Sequence, residues 1–279
     1  MLQIVIPAFN EESRLGQTLS SLRHYVSRQS AALGGNCVEV IVVDNGSSDD
    51  TSGVAVAHDS PELPIRVIRH EERGKGAATR AGIGATTDEY VAFMDADGAT
   101  DLAAFEEGIR LVRSGSDVAI GSRAIAGADV SARHQALRGH GAVLHRALAR
   151  RIVPGIADTQ CGFKVMRGDV ARTLFREVTI RGFSFDVELL MLARRRRLRI
   201  AEFPVRWVDQ PGSTFRPASH GLWSFVDLAR VRWRLRTVPP GVLAPPRPRA
   251  LPGGIAVTVP RQRALVIESP VLGGLALDG

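Results

Sequence analysis

Asp95 and Asp97 stand at i, i+2, directly after the apolar stretch 90–94 and just before Gly98. Two carboxylates so placed offer hard oxygen ligands to one Mg2+ or Mn2+, whose coordination is usually completed by substrate phosphates. Such an ion neutralises a diphosphate leaving group. Acidic pairs are common in turns, so this pair gains weight only from the loops around it. Asp44 ends another apolar run, 38–43, and precedes Asn45-Gly46-Ser47. Its carboxylate can accept a hydrogen bond from a base or ribose, whereas Ser47, Ser48 and Asp49 suit helix capping. Pro7-Ala8-Phe9-Asn10-Glu11-Glu12 reads either as a helix start or as the first wall of a nucleotide site. Gly74-Lys75-Gly76 offers backbone N–H groups and an ammonium to phosphate, without the G-x-x-x-x-G-K-[ST] of a P-loop.

These loops need elements to hold them. Short apolar runs at 2–6, 38–43, 65–68, 90–94 and 118–120 read as strands. Helices are expected from about 10 to 32, from 50, from 74 to 85 and over 102–112. Strand and helix alternate, which predicts an α/β fold with a mostly parallel, Rossmann-like sheet flanked by helices. Ligands then belong in the loops at the carboxyl ends of the strands, where all four candidate loops fall. Further on, 133–152, 186–197 and 220–236 read as helices and 199–208 as a strand. Residues 238–279 are rich in Pro and Gly without periodicity, and are expected to form a disordered tail. The expected division is one domain over 1–237, in two halves, 1–120 and 121–237, which the resemblance given below would assign to the nucleotide sugar and to the acceptor.

The 279 residues carry 36 Lys+Arg against 29 Asp+Glu, and 44% are hydrophobic. A sizeable core is therefore available and wholesale disorder is excluded. Residues 1–109 hold 8 basic and 17 acidic side chains, and residues 110–279 hold 28 and 12. A second half this basic points to an anionic partner. Only Lys75 and Lys164 are lysines, and both lie in candidate motifs. Two cysteines, Cys37 and Cys161, make no disulfide framework or zinc cluster. No apolar run approaches the ~18–20 residues of a membrane span, and no signal-peptide pattern opens the chain, so a cytoplasmic location is expected.

Ile6-Pro7-Ala8-Phe9-Asn10-Glu11-Glu12, Val42-Val43-Asp44-Asn45-Gly46-Ser47-Ser48-Asp49, Arg73-Gly74-Lys75-Gly76-Ala77 and Asp95-Ala96-Asp97-Gly98 together resemble the inverting family 2 glycosyltransferases of GT-A fold. Gly121-Ser122-Arg123, Asp158-Thr159-Gln160-Cys161-Gly162-Phe163-Lys164 and Phe185-Asp186-Val187-Glu188-Leu189-Leu190 are similar to the dolichyl-phosphate β-glucosyltransferase branch, the polyprenyl-phosphate hexosyltransferases. The resemblance implies that Pro7, Ala8, Glu11 and Asp44 hold the nucleoside of UDP-glucose and that Lys75 lies near the donor. It implies that Asp95 and Asp97 hold Mg2+ or Mn2+ with the diphosphate, and that Gln160, Gly162 and Lys164 border the sugar. Arg123 and Arg138 are expected to bind acceptor phosphate, and Asp186 and Glu188 to sit under the reaction centre or to stiffen it, Glu188 being equally well read as a structural ion-pair partner. Two positions depart from the pattern: Asn45 replaces a second aspartate, and Gly212-Ser213-Thr214 lacks a lysine that Arg216 could replace.

A phosphate monoester is ionised near neutral pH and attacks without a general base, but it needs cations, and Arg forks suit it. A hydroxyl acceptor would need a base within hydrogen-bond reach, for which Asp186 and Glu188 are the candidates. The resemblance implies transfer of a hexose, glucose from UDP-glucose, to a polyprenyl phosphate with inversion. The alternatives are a soluble enzyme glycosylating a hydroxyl compound and an inactive nucleotide-sugar or phospholipid-binding module. Basic residues 194–199 and the two apolar stripes of 220–236 fit peripheral contact with an anionic membrane surface. Nucleic acid is a poorer fit, since no recognition module is evident.

Overall fold

Alternation along the first strands sets the architecture. In the computed structural model, which describes residues 1–29, 38–132, 148–208, 226–233 and 266–268, β1 is Leu2–Ala8 and β2 is Val38–Asp44. Successive side chains of a strand point to opposite faces. Ile4, Ile6, Val40 and Val42 accordingly enter one core layer, and Val5, Ile41 and Val43 the other. A sheet apolar on both faces must be covered on both. Helix α1 (Glu12–Gln29) covers the first face through Leu15, Leu19, Leu22 and Val26. Helix α3 (Lys75–Gly84) lies on the other, with α2 (Thr51–Ala57) between them in sequence.

The order of the remaining elements is β3 (Ile65–Arg69), β4 (Tyr90–Phe93), α4 (Ala104–Arg113), β5 (Val118–Ser122), β6 (Asp129–Ala132), β7 (Lys164–Arg167), α5 (Gly168–Glu177), α6 (Phe185–Arg195), β8 (Ile200–Pro204), β9 (Arg206–Val208) and β10 (Val266–Glu268). Eight strands form one sheet in the order β10-β3-β2-β1-β4-β7-β5-β8. Every pairing is parallel except those of β7, which runs antiparallel between β4 and β5. The strand order reverses around β1, so the carboxyl ends of β1, β2 and β4 open onto one crevice, where α/β sheets bind ligands.

An aromatic cluster anchors the end of β4. Phe93 meets Phe175 of α5 and Phe185 of α6 at centroid separations of 6.1 and 5.8 Å. Such pairs contribute about 0.5–1.5 kcal/mol beyond their buried area. They fix the strand terminus two residues before Asp95.

Several expectations are corrected. β7 and α5 were not foreseen. The expected strand 199–208 breaks into β8 and β9, which belong to different sheets, because the chain turns at Val205 to pair β9 with β6. Three residues of the expected disordered tail, Val266–Glu268, pair parallel with the outer edge of β3. A β-branched pair there satisfies an otherwise open row of backbone groups. Of the helices expected at 133–152 and 220–236, residues 148–152 and 226–233 are helical and the rest lie outside the described residues. Among the described residues no helix is long and apolar enough to cross a membrane.

Candidate active site

The loops after β1 and β2 are laced together. Asn10 N–H donates to Ser47 Oγ at 3.0 Å, Ser48 N–H to Asn10 Oδ1 at 2.8 Å, and Glu11 N–H to Thr51 Oγ1 at 2.9 Å. Asn10 adopts φ 54°, a left-handed conformation that Asn tolerates better than most residues. Asp44, expected to be free of capping duty, accepts from Ser47 N–H at 2.9 Å and Ser52 Oγ at 2.5 Å. It is buried at the end of β2, beside Ala8 at the end of β1. Pro7 precedes Ala8 on the same strand. Glu11 is buried with its carboxylate forked onto Arg14 at 2.8 and 2.6 Å. Burial raises its pKa; Arg14 opposes this, and the charges of Asp97 and Asp95 add to it.

Asp95 and Asp97 emerge from β4 through a tight turn. Gly98 carries φ 66°, and Ala99 N–H donates to Asp97 Oδ1 at 3.1 Å. Burial, then the neighbouring Asp95 charge, pushes the Asp97 carboxyl above its ordinary pKa. Lys75 Nζ lies 2.5 Å from Asp95 Oδ1. Gly162 is also so close that a Cβ there would stand 2.1 Å from Asp95 Oδ2. The Cys161-Gly162 segment therefore packs directly on the D-x-D carboxylate, and only glycine leaves room. Three acids, Glu11, Asp95 and Asp97, thus share one mouth with the cations Lys75 and Arg14.

Asn45, read in the sequence as a departure, has a definite task. Its amide nitrogen donates to the carbonyls of His70 and Glu72 at 3.1 and 2.7 Å, and its Oδ1 accepts from Gly74 N–H at 2.7 Å. An aspartate could not make the two donations. The amide ties β2 to the loop that launches Lys75. Glu72 adds a second tie, pairing with Arg80 at 2.6 Å and Arg181 at 2.5 Å.

The expectation that the Gly74-Lys75-Gly76 backbone cradles phosphate is corrected. Gly74 N–H serves Asn45, while Gly76 and Ala77 N–H both donate to Arg181 carbonyl oxygen, at 2.7 and 3.2 Å. A carbonyl already caps α3, so the loop offers its ammonium instead.

Lys164 and Asp186 do not border an open pocket. Lys164 is wholly buried, its Nζ donating to Asp186 Oδ1 at 2.5 Å and Cys161 carbonyl at 2.8 Å. Burial raises the Asp186 pKa against the opposing charges of Lys164 and Lys75. Glu188 is buried too, and it brackets the 179–180 backbone: Thr179 N–H, Thr179 Oγ1 and Ile180 N–H donate to it at 2.8 to 2.9 Å. It anchors the loop that caps α3, which is the stiffening role open to it in the sequence. Two residues apart on a helix, the acids face different neighbours.

Arg123 spends Nε and Nη2 on Asp158, at 2.7 and 3.1 Å, and its backbone N–H donates to the same carboxylate. Burial would lift the Asp158 pKa, but these hydrogen bonds and the guanidinium charge outweigh it and hold it low. That edge of Arg123 is closed to substrate, although the residue still feels the charge of Asp95. Gln160 N–H donates to Asp158 Oδ1 at 3.2 Å, which places the motif loop beside Arg123. Burial pushes the Cys161 thiol up to about 11, an inert state. Arg138 and Arg216 lie outside the described residues. Asp158 and Glu72 were missed as organising acids: Arg123 and Arg181 reach them from distant loops, whereas Arg80 lies near Glu72 in sequence.

The D-x-D pair, Lys75 and an Arg123 braced by Asp158 thus lie at the carboxyl-end side of a doubly wound sheet. A family model, glycosyl transferase family 2, matches residues 3–175, and the chain belongs to this family. It is 32% identical over 244 residues to dolichyl-phosphate beta-glucosyltransferase of Dictyostelium discoideum, covering 84% of this chain and 74% of the relative. The Drosophila melanogaster enzyme of that name is 35% identical over 82% of this chain and 72% of its own length. The Homo sapiens one is 34% identical over 85% and 76%. The fold is similar to glucosyl-3-phosphoglycerate synthase from Mycobacterium tuberculosis, solved in complex with Mn2+, UDP and glucosyl-3-phosphoglycerate. That match has a TM-score of 0.61 at 20% identity and covers 86% of this chain and 81% of the other.

Proposed function

We propose that this protein transfers glucose from UDP-glucose to a polyprenyl phosphate with inversion at the anomeric carbon, using Mg2+ or Mn2+. Its relatives named dolichyl-phosphate beta-glucosyltransferase align over most of both chains. The observation that carries the acceptor choice is the state of the candidate bases. Asp186 is committed to Lys164, and Glu188 to the 179–180 backbone. Neither is placed to take a proton from a hydroxyl, so the acceptor that fits brings its own anion. A phosphate monoester does, with a second pKa of about 6.

The metal fits the residues present. Asp95 and Asp97 lie close enough for the charge of one to raise the pKa of the other, and this pair of hard oxygen donors would hold the ion, with substrate oxygens and water completing it. When bound, the ion supplies charge neutralisation to the UDP leaving group. Lys75 lies beside the same carboxylate and offers a second cation to the diphosphate. Pro7, Ala8, Glu11 and Asp44 form the nucleoside side, at the ends of β1 and β2. Gln160 and Gly162 form the sugar side. The remaining face of Arg123, with Arg138 and Arg216, receives the acceptor phosphate.

For access to a lipid acceptor we assign a peripheral contact with the cytoplasmic membrane face. In the helical residues 226–233, Leu228 and Val231 face the core, whereas Trp233 is 71% exposed beside exposed Arg230 and Arg232. An exposed indole among arginines suits an anionic interface. The test is radiolabelled UDP-glucose with Mn2+ and the full chain, offered polyprenyl phosphate in anionic vesicles. Label should enter the lipid and the protein should float with the vesicles. Label on a hydroxyl acceptor instead would overturn the assignment.

A further inference from the structure

The charges around Asp95 alternate in sign from the interior outward. Lys164, wholly buried, pairs with Asp186 at 2.5 Å; Lys75 pairs with Asp95 at 2.5 Å; and Lys75 also feels the charge of Asp186. Lys75 thus stands between two carboxylates, one deep and already partnered, the other at the mouth and 37% exposed. Gly162 packs against the same carboxylate, where an added Cβ would stand 2.1 Å from Asp95 Oδ2 and 2.5 Å from Oδ1. A divalent cation and an ammonium cannot share the same carboxylate oxygen at ligand distance, since like charges there repel strongly.

We propose that Lys75 is the internal counter-ion of Asp95, and that a divalent cation enters the Asp95/Asp97 pair by displacing it. This rests on the metal reading of that pair. The released ammonium stays within the field of Asp186 and becomes available to the donor diphosphate, so metal entry and presentation of Lys75 are one event. Loop anchoring favours such an exchange: Asn45 and the Arg181 carbonyl fix the Gly74–Ala77 backbone, so the motion is confined to the lysine side chain. The role of Lys75 is then to hold the pair together before metal arrives and to lower the affinity for metal alone.

The composition supplies a clean readout, because Lys75 and Lys164 are the only lysines of the chain. The full metal-free protein is treated with an amine-reactive ester, with and without saturating Mn2+, and labelling is read at each lysine by mass spectrometry. Labelling at Lys75 should rise at least threefold with Mn2+, while buried Lys164 stays unlabelled in both states. Unchanged or reduced labelling of Lys75 overturns the proposal. In parallel, Mn2+ is titrated calorimetrically into wild type, Lys75→Met and Lys75→Arg without donor. Lys75→Met should bind Mn2+ at least tenfold more tightly than wild type, and Lys75→Arg should not. Equal affinity for all three refutes the exchange and leaves the metal pair standing. No Mn2+ binding to any of them without donor refutes the exchange, and no binding when the titration is repeated with UDP refutes the metal pair itself.

Discussion

Replacing Gly162 by alanine separates the site from the fold. The added methyl would stand 2.1 Å from Asp95 Oδ2, 2.4 Å from Cγ and 2.5 Å from Oδ1. Carbon–oxygen contacts settle at about 3.3–3.6 Å, so the carboxylate must retreat by about 1 Å. A displacement of about 1 Å at a positioning group costs about 100-fold in rate, or about 2.7 kcal/mol of transition-state stabilisation at 1.36 kcal/mol per tenfold. The obstacle is the far end of a partly exposed side chain, not backbone. Stability should therefore fall by only about 1 kcal/mol, the low end for overpacking. The assay is kcat/KM for UDP-glucose alongside a urea unfolding curve. A variant that keeps activity within threefold, folded as wild type, would refute the claim that the Cys161-Gly162 segment sets the position of Asp95. A loss of activity that tracks a matching loss of folded protein would refute the separation of site from fold.

Lys164→Met should destabilise the protein by about 3–5 kcal/mol by stranding Asp186 in the core, read from urea unfolding; the double variant with Asp186→Leu should recover most of this, and a single-variant cost near zero would contradict the buried pair. Asn45→Asp removes both donations to the 70–72 backbone and should cost about 1–3 kcal/mol while raising the donor KM more than it lowers kcat. Asp158 has a lowered folded pKa, so its pairing with Arg123 contributes stability fully above its unfolded value of about 3.9 and loses it as pH falls through the folded value. An acid titration of stability should show that component in wild type and lack it in Arg123→Met.

The strands that carry the donor loops were legible because their apolar runs stop at punctuating residues: Pro7, Asp44 and the Asp95–Gly98 turn. β7 was not, since Lys164-Val-Met-Arg167 shows two cations in four residues. Its lysine is buried only because α6 brings Asp186 to it from 22 positions away. Glycine at 162 could be noticed as part of a motif, but the need for it is a carboxylate arriving from another strand. The Gly74-Lys75-Gly76 turn reads as a phosphate cradle until Asn45 takes the Gly74 N–H and the Arg181 carbonyl, supplied by a loop about a hundred residues later, takes those of Gly76 and Ala77. Asn45 illustrates the same limit: residue type alone marks a departure, and only the carbonyls of His70 and Glu72 reveal why an amide stands there. Contacts within one loop follow local chemistry. Those between loops depend on the crossovers of the sheet.

The central claim is that glucose leaves UDP at the Asp95/Asp97 pair and arrives, inverted, on a lipid phosphate. Proton and phosphorus NMR of the product made by the purified full chain from UDP-glucose, Mn2+ and polyprenyl phosphate tests it most directly. The account predicts an anomeric proton that couples to phosphorus and also shows the large diaxial H1–H2 coupling of a β-glucoside, and no such product from Asp97→Ala. An α-linked product, free glucose alone, or undiminished turnover in Asp97→Ala would contradict it.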